Sequence, residues 1–173
     1  MEPELQVKYQ EAIWVCKALF QRNKTSGSSG NVSFLHKGNI YVVGYGTCFG
    51  TMKPEDFSTV DMDGNHVGGI APSREVELHR ALYLKNSNYQ AVVHTHGTYS
   101  TLWSALPHEN KSDVMPYHTP YCMNRVGPVS FVTPYEKPGT KELFGLFRDS
   151  LCENKGYLLQ NHGAIAADTC LMN

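Results

Sequence analysis

Two histidines separated by a single residue follow an apolar run in the stretch "QAVVHTHG". Side chains two positions apart on a strand point to the same face, so His94 and His96 can reach one metal ion together. Imidazole is a ligand that suits zinc and neighbouring transition metals. By itself the H-x-H pattern is not specific, and polar core or surface histidines are the alternative interpretation. The pattern therefore raises the hypothesis of a metal site whose other ligands lie elsewhere.

Two residues far apart in the sequence are candidates for the missing ligands. A cupin would place a glutamate shortly after its H-x-H, but "GTYSTLWSALP" contains none. His162, which lies in "QNHG" between two predicted strands, is the best third ligand, and Glu75 in "PSRE" is the next candidate. Three histidines with a carboxylate that can leave the metal would make a catalytic zinc site with an exchangeable position.

Two other stretches favour an anion. The small residues of "SGSSGN", residues 26–31, allow a loop to present its backbone N–H groups. "PSRE" places Ser73 and Arg74 at a predicted helix N-terminus, where the helix dipole and free N–H groups attract anions. A plain loop and a simple helix cap are the alternative interpretations. Together with a metal, the two stretches indicate a small, phosphorylated, oxygen-rich substrate.

Alternating helices and strands must position these groups. Apolar residues recur every three or four positions in helices, and short apolar runs between turn residues predict strands. On these criteria the predicted helices are 3–22, a stretch opening at Pro72, 98–105 and 140–154. The predicted strands and hairpins are 32–44, 60–69, 90–94, 127–134, 156–160 and 163–167. This mixture predicts an α/β fold with helices packed on a sheet.

Composition excludes several classes of protein. The chain has 173 residues, and its 15 basic and 16 acidic residues give a net charge of -1. Without a basic stripe there is no indication of nucleic-acid binding. The apolar runs are far too short for a membrane span, and no signal peptide is recognisable, so we expect a cytoplasmic protein. Five scattered cysteines predict reduced thiols and not a disulfide framework.

We expect one domain over residues 1–173. The sequence stops at "DTCLMN", where Asp168 is suited to cap a further helix. A domain seldom ends at the first turn of a helix, so we expect a C-terminal helix to be missing from this sequence.

Taken together, four motifs make the sequence resemble the class II aldolase/adducin family, which includes L-fuculose-phosphate aldolase and L-ribulose-5-phosphate 4-epimerase. "SGSSGN", "PSRE", "AVVHTH" and "QNHG" occur in the family's order and at about its spacings, over nearly the whole chain. The resemblance implies a central, mostly antiparallel sheet with helices packed on both sides. It also implies a cyclic homotetramer whose active site lies at the subunit interface.

The resemblance assigns roles to individual residues. It implies that His94, His96 and His162 hold one zinc ion per subunit, for which manganese or cobalt are the alternatives. Glu75 matches the family's acid/base, which also ligates zinc in the resting site. Tyr121, in "HTPYCMNRVG", matches a tyrosine that serves a neighbouring subunit as a second proton donor.

A phosphate site is also implied, and it lies among three stretches of the family. The matching residues here are Gly30, Asn31, Tyr45, Gly46, Ser73 and Arg74. Tyr45, in "VGYG", stands where the family has a small hydroxyl residue. This departure leaves open the alternative that the substrate carries no phosphate.

Short matches point to one branch of the family. "GTCFGTMKPEDFS", the basic residue within "PSRE" and the "TPY" before "MNRVG" are similar to enzymes that act on 3-oxo-tetronate 4-phosphates. This implies decarboxylation of a β-keto acid through a metal-stabilised enediolate. An L-fuculose-1-phosphate-type aldolase and a pentulose-phosphate 4-epimerase are the enzymatic alternatives. A non-catalytic, adducin-like interaction domain is the alternative of another class, and it would have no need of the three histidines and the glutamate.

Overall fold

Eight strands form one sheet in the computed structural model of the chain, which describes residues 2–118 and 120–172. In chain order they are β1 Asn31–His36, β2 Asn39–Val43, β3 Phe57–Asp61, β4 His66–Gly69, β5 Ala91–Thr95, β6 Val129–Val132, β7 Gly156–Leu159 and β8 Gly163–Asp168. Their order across the sheet is β4-β3-β2-β1-β5-β8-β7-β6. Every neighbouring pair is antiparallel except β6 and β7, which confirms the mostly antiparallel sheet.

Helices cover both faces of this sheet, as predicted. The α-helices of the described residues are α1 Pro3–Gln21, α2 Val76–Lys85, α3 Thr98–Ser104, α4 Pro120–Arg125 and α5 Lys141–Asp149. On one face, Ala12 and Cys16 of α1 are buried in a cluster that includes Val32 and Phe34 of β1. On the other face, α2 and α5 pack over a core that includes Ile40, Val42 and Ile165. The spacing of four between buried residues of α1 is the period that burying one face of a helix requires.

The segment before α2 differs from the prediction. Pro72 does not lie in a first helical turn but forms an isolated β-bridge with Gly44. Backbone bonds hold this segment extended, since Tyr45 N donates to Ala71 O and Ser73 N donates to Val43 O. The helix therefore begins only at Val76, and Glu75 occupies the N-cap position. As a result, the segment containing Ser73 runs beside the end of β2.

Other boundaries also differ. The predicted helix over 140–154 ends at Asp149, and α4 was not predicted at all. Thr140 caps α5, because its hydroxyl accepts a hydrogen bond from Leu143 N at 3.4 Å.

Within residues 2–118 and 120–172, no helix combines the length and the apolar character that crossing a membrane requires.

Candidate metal centre

The centre of the sheet brings together residues distant in sequence. His94 near the end of β5 pairs with Asn31 on β1 and with Ile165 on β8. His162 lies in the turn between β7 and β8, and that turn packs closely on the end of β5. A Cβ atom on Gly163 would lie 2.4 Å from the carbonyl oxygen of Thr95. A residue without a side chain is therefore required beside His162.

Four side chains converge on one point. His94 Nε2 lies 2.9 Å from His96 Nε2 and 3.3 Å from His162 Nε2. The Glu75 carboxylate reaches the same point, with Oε2 at 3.4 Å from His94 Nε2 and Oε1 at 3.1 Å from His162 Nε2. One ligand atom from each residue lies within 4.8 Å of all the others. Ligands held tetrahedrally at zinc distances would be about 3.4 Å apart. The separations bracket that value.

The donor set fits a divalent metal ion. His94 Nδ1 donates to the carbonyl oxygen of Ala164 at 3.0 Å, which leaves the lone pair of Nε2 facing the cluster. Three imidazole nitrogens and a carboxylate this close together would repel one another if all of them presented lone pairs, so a proton or a cation must lie between them. Glu75 Oε1 is also buried without a hydrogen-bond partner. A cation between these atoms would balance the repulsion and satisfy the buried oxygen.

The electrostatics of the cluster favour the ligand forms of two residues. Burial raises the pKa of Glu75, but the imidazoles of His162 and His94 outweigh it and hold this pKa below its ordinary value. Burial, with the neighbouring His94 and His162, lowers the pKa of His96 to about 4. At neutral pH, Glu75 is therefore a carboxylate and His96 a neutral imidazole. These are the forms that bind metal.

A buried network behind Glu75 was missed in the sequence. Asn31 Nδ2 donates to Glu75 Oε2 at 3.1 Å. The other end of the Asn31 amide contacts His79, which in turn reaches Ser33. The sequence contains part of the signal, because periodicity places each pair of residues on one face of its element, although it does not show that the two faces meet. Ser33 lies two residues after Asn31 on a strand, and His79 lies four residues after Glu75 along a helix.

A pocket of about 300 Å³ adjoins the cluster. It is lined by all six predicted substrate contacts, Gly30, Asn31, Tyr45, Gly46, Ser73 and Arg74, together with Glu75 and His96. Gly30 lies so close to β5 that a Cβ atom on it would be 2.8 Å from the His94 carbonyl oxygen. Pro138 and Gly139 also line the pocket. They were not predicted, because nothing in their own sequence indicates where the segment after β6 lies.

Tyr45 does not fill this pocket. The guanidinium carbon of Arg74 lies 4.4 Å from the centre of the Tyr45 ring, which is the geometry of a cation–π contact. Tyr45 itself remains 56% exposed. Among the ion pairs of the described residues none includes Arg74, so its charge is available to an anionic ligand.

Tyr121 is not brought to the cluster within one chain. It lies in α4, is 76% exposed and is not among the residues that line the pocket. Its role toward a neighbouring subunit stays a prediction. Thr119, which opens the "TPY" stretch, lies outside the described residues.

Comparison with known proteins finds decarboxylases and aldolases among the relatives of this chain. The chain is 37% identical to 3-oxo-tetronate 4-phosphate decarboxylase of Escherichia coli strain K12 over 163 residues, covering 94% of this chain and 76% of that protein. It is 32% identical to L-fuculose phosphate aldolase of Methanococcus maripaludis strain C5 over 153 residues, covering 88% and 80%. The crystal structure of YgbL from Escherichia coli superposes with a TM-score of 0.91 at 36% identity, covering 96% of this chain and 81% of that one.

A family model covers nearly the whole chain. The model of the class II aldolase and adducin N-terminal domain matches residues 10–173. Both relatives named above are carbon–carbon lyases, and the prediction that this chain is a lyase is confirmed. The chain belongs to the class II aldolase and adducin family.

Proposed function

We propose that the protein is a zinc-dependent carbon–carbon lyase that decarboxylates a 3-oxo-tetronate 4-phosphate. The observation that carries the proposal is one continuous site. The Glu75 carboxylate and three imidazole nitrogens converge at the edge of a pocket that also contains the unpaired guanidinium of Arg74. The decarboxylase from Escherichia coli, at 37% identity, supports the choice of substrate.

The chemistry requires charge stabilisation and a proton. When bound to His94, His96, His162 and Glu75, zinc would supply a Lewis acid for negative charge on substrate oxygens. When the C–C bond to the carboxylate breaks, carbon dioxide leaves and the electron pair stays on the substrate as an enediolate. The carbon that lost the carboxylate then needs a proton.

We assign this proton transfer to Glu75. It is the only carboxylate among the residues that line the pocket. Its lowered pKa keeps it ionised at rest, so it must first take up a proton from solvent water before delivering that proton to the carbon. The Asn31 amide holds the carboxylate in place from behind. Arg74, at the other side of the pocket, would bind the phosphate group.

Two substrates separate the proposal from its nearest alternative. Zinc-loaded protein is incubated with 3-oxo-tetronate 4-phosphate and, separately, with L-fuculose 1-phosphate, and carbon dioxide and aldehyde are measured. We expect carbon dioxide from the keto acid to dominate. Aldehyde from fuculose phosphate without carbon dioxide from the keto acid would favour the aldolase instead, which the 32% identity to an L-fuculose phosphate aldolase makes the second candidate.

Arg74→Ala should weaken substrate binding more than it slows the chemical step. Loss of a charged hydrogen bond to phosphate should raise KM roughly 10- to 100-fold. We expect kcat to change only a few-fold, because a group that grips the distal anion binds ground state and transition state alike. Steady-state kinetics on the keto acid measure both constants.

Arg148→Ala is the matched control, because Arg148 is an exposed arginine of α5 outside the pocket. A large fall in kcat with unchanged KM for Arg74→Ala would contradict its assignment to the phosphate.

Tyr45→Ala should raise KM by about 2- to 5-fold through loss of the cation–π contact, whereas Tyr45→Phe keeps the ring and should change KM little.

We propose further that the active site is completed by Tyr121 of a neighbouring subunit in a homotetramer. The exposure of Tyr121 in the single chain supports this. Tyr121→Phe and Glu75→Gln should each be poorly active, but the two mixed during refolding should regain activity. Random assembly leaves both native residues in about a quarter of the shared sites. Activity of a mixture no higher than the sum of its parts would contradict the shared site.

A further inference from the structure

A chain of buried hydrogen bonds leads away from Glu75 into the core between β1 and α2. It begins at Asn31, whose Nδ2 lies 3.1 Å from Glu75 Oε2 and whose Oδ1 contacts His79 Nε2. On the far side, Ser33 Oγ lies 2.7 Å from His79 Nδ1 and 2.7 Å from the Tyr83 hydroxyl. All four side chains beyond Glu75 are buried, and Ser33 and His79 are fully enclosed.

The chemistry of the groups fixes the direction of every bond. A carboxylate can only accept, so the NH₂ group of Asn31 faces Glu75 and its carbonyl oxygen faces His79. That oxygen also only accepts, so the proton of His79 must be on Nε2. His79 Nδ1 then accepts from the Ser33 hydroxyl, which leaves Tyr83 as the donor to Ser33. All the donors therefore point toward Glu75.

The backbone explains why these side chains meet. Asn31 and Ser33 are two residues apart on β1 and share one face of the sheet. Glu75, His79 and Tyr83 follow at intervals of four, so they form a stripe along α2 from its N-cap. β1 and α2 lie side by side, so the side chains of Asn31 and Ser33 meet those of the stripe on α2.

We propose that His79 is a positioning residue, which with Ser33 and Tyr83 fixes the orientation of the Asn31 amide and thereby the Glu75 carboxylate. With His79 Nε2 protonated, Asn31 can present only its NH₂ group to Glu75. If the amide turned over, its carbonyl oxygen would face the carboxylate and repel it from the histidines. The inference rests on the proposed role of Glu75 as metal ligand and proton carrier.

The electrostatics of His79 also agree with a positioning role. Burial lowers the pKa of His79 to about 3, so the imidazole is neutral at neutral pH. Its single proton is on either Nδ1 or Nε2, and the hydrogen bonds decide which. Loss of an outer group that orients a metal ligand typically lowers metal affinity or activity by roughly 10- to 100-fold, which is large enough to measure.

Replacing His79 by glutamine and by leucine tests the donor. The glutamine amide can still donate to Asn31, whereas leucine of similar volume cannot. We expect His79→Leu to weaken zinc binding and to lower kcat by at least about tenfold each, and His79→Gln to stay within about threefold of wild type. Ser58→Ala controls for the loss of a buried polar group as such. Ser58 is as fully buried as His79, but it lies on β3 outside the network. Zinc affinity is measured by competition with a chelator, independently of turnover.

The tautomer of His79 is observed in the wild-type protein itself, and a variant serves only to assign the signal. Long-range ¹H–¹⁵N spectra of the zinc-loaded wild-type protein should show a neutral His79 protonated at Nε2, with the signal assigned by its absence in His79→Gln. An Nδ1 proton, or a His79→Leu protein with wild-type zinc affinity and kcat, would overturn the inference. If neither substrate turns over but the tautomer and the zinc affinities are as expected, the proposed substrate is wrong and the positioning role stands.

Discussion

Replacing His162 by alanine is expected to remove most of the bound zinc and to lower turnover on the order of 10³-fold or more. His162 Nε2 lies within 3.3 Å of both His94 Nε2 and Glu75 Oε1, so its loss opens one side of the cluster. The remaining carboxylate and two imidazoles leave one side of the ion open, so we expect them to bind zinc much more weakly. Elemental analysis of protein purified without chelator should find about one zinc ion per wild-type chain and little in the variant.

The matched control is His108→Ala. His108 is partly buried, packs against Trp103 and Phe131 and is not part of the metal cluster. This variant should keep its zinc and most of its turnover. Chelator treatment of the wild type should abolish activity, and zinc should restore it, with manganese and cobalt tested beside it. A wild-type protein that stays ion-free and fully active would contradict the metal site.

The histidine pair shows what the sequence can predict by itself. A strand of period two places His94 and His96 on one face, and this needs no knowledge of the rest of the fold. His162 and Glu75 could be named as candidate ligands from the stretches around them, but the two lie 87 positions apart, and the family resemblance was needed to assign both to the same ion. The structure brings all four together.

Other features depend on contacts that no local pattern reveals. Pro72 suits a first helical turn, but its isolated bridge to Gly44, which lies just after β2 and 28 positions earlier, overrides that preference. His79 reads as one more residue of an amphipathic helix, and only the position of β1 beneath α2 shows that Asn31 and Ser33 are its partners. Tertiary contacts of this kind decide among local preferences that are worth less than a kcal/mol or so.

The Tyr45 position illustrates a departure that the structure interprets. In the sequence, a tyrosine in place of a small hydroxyl residue left open the alternative of a substrate without a phosphate. The structure instead places the ring against the guanidinium of Arg74 and leaves the pocket open. An aromatic ring that orients an arginine can replace a hydroxyl as a means of holding an anion. This arrangement supports a phosphorylated substrate.

Glu75→Gln should lower kcat by about 10²- to 10⁴-fold while zinc stays bound. Glutamine has nearly the same size, and its amide oxygen can still accept the hydrogen bond from Asn31. It cannot carry a proton to the substrate carbon, and a single acid–base group commonly supplies a factor of that size. Three histidines remain to hold the metal. Turnover of the keto acid and zinc content, measured on the same preparation, test both parts of the expectation.

Glu77→Gln separates the loss of a proton carrier from a general effect of removing a charge. Glu77 lies in the first turn of α2, two residues beyond Glu75, and pairs with Arg80 at 3.0 Å outside the metal cluster. Its neutralisation removes the same charge near the same helix end, but it should leave kcat within about twofold, because Glu77 lies outside both the metal cluster and the lining of the pocket. If Glu75→Gln retained most of its turnover, proton transfer would have to be assigned to another group. If it instead lost zinc as well as turnover, Glu75 would be needed chiefly as a ligand.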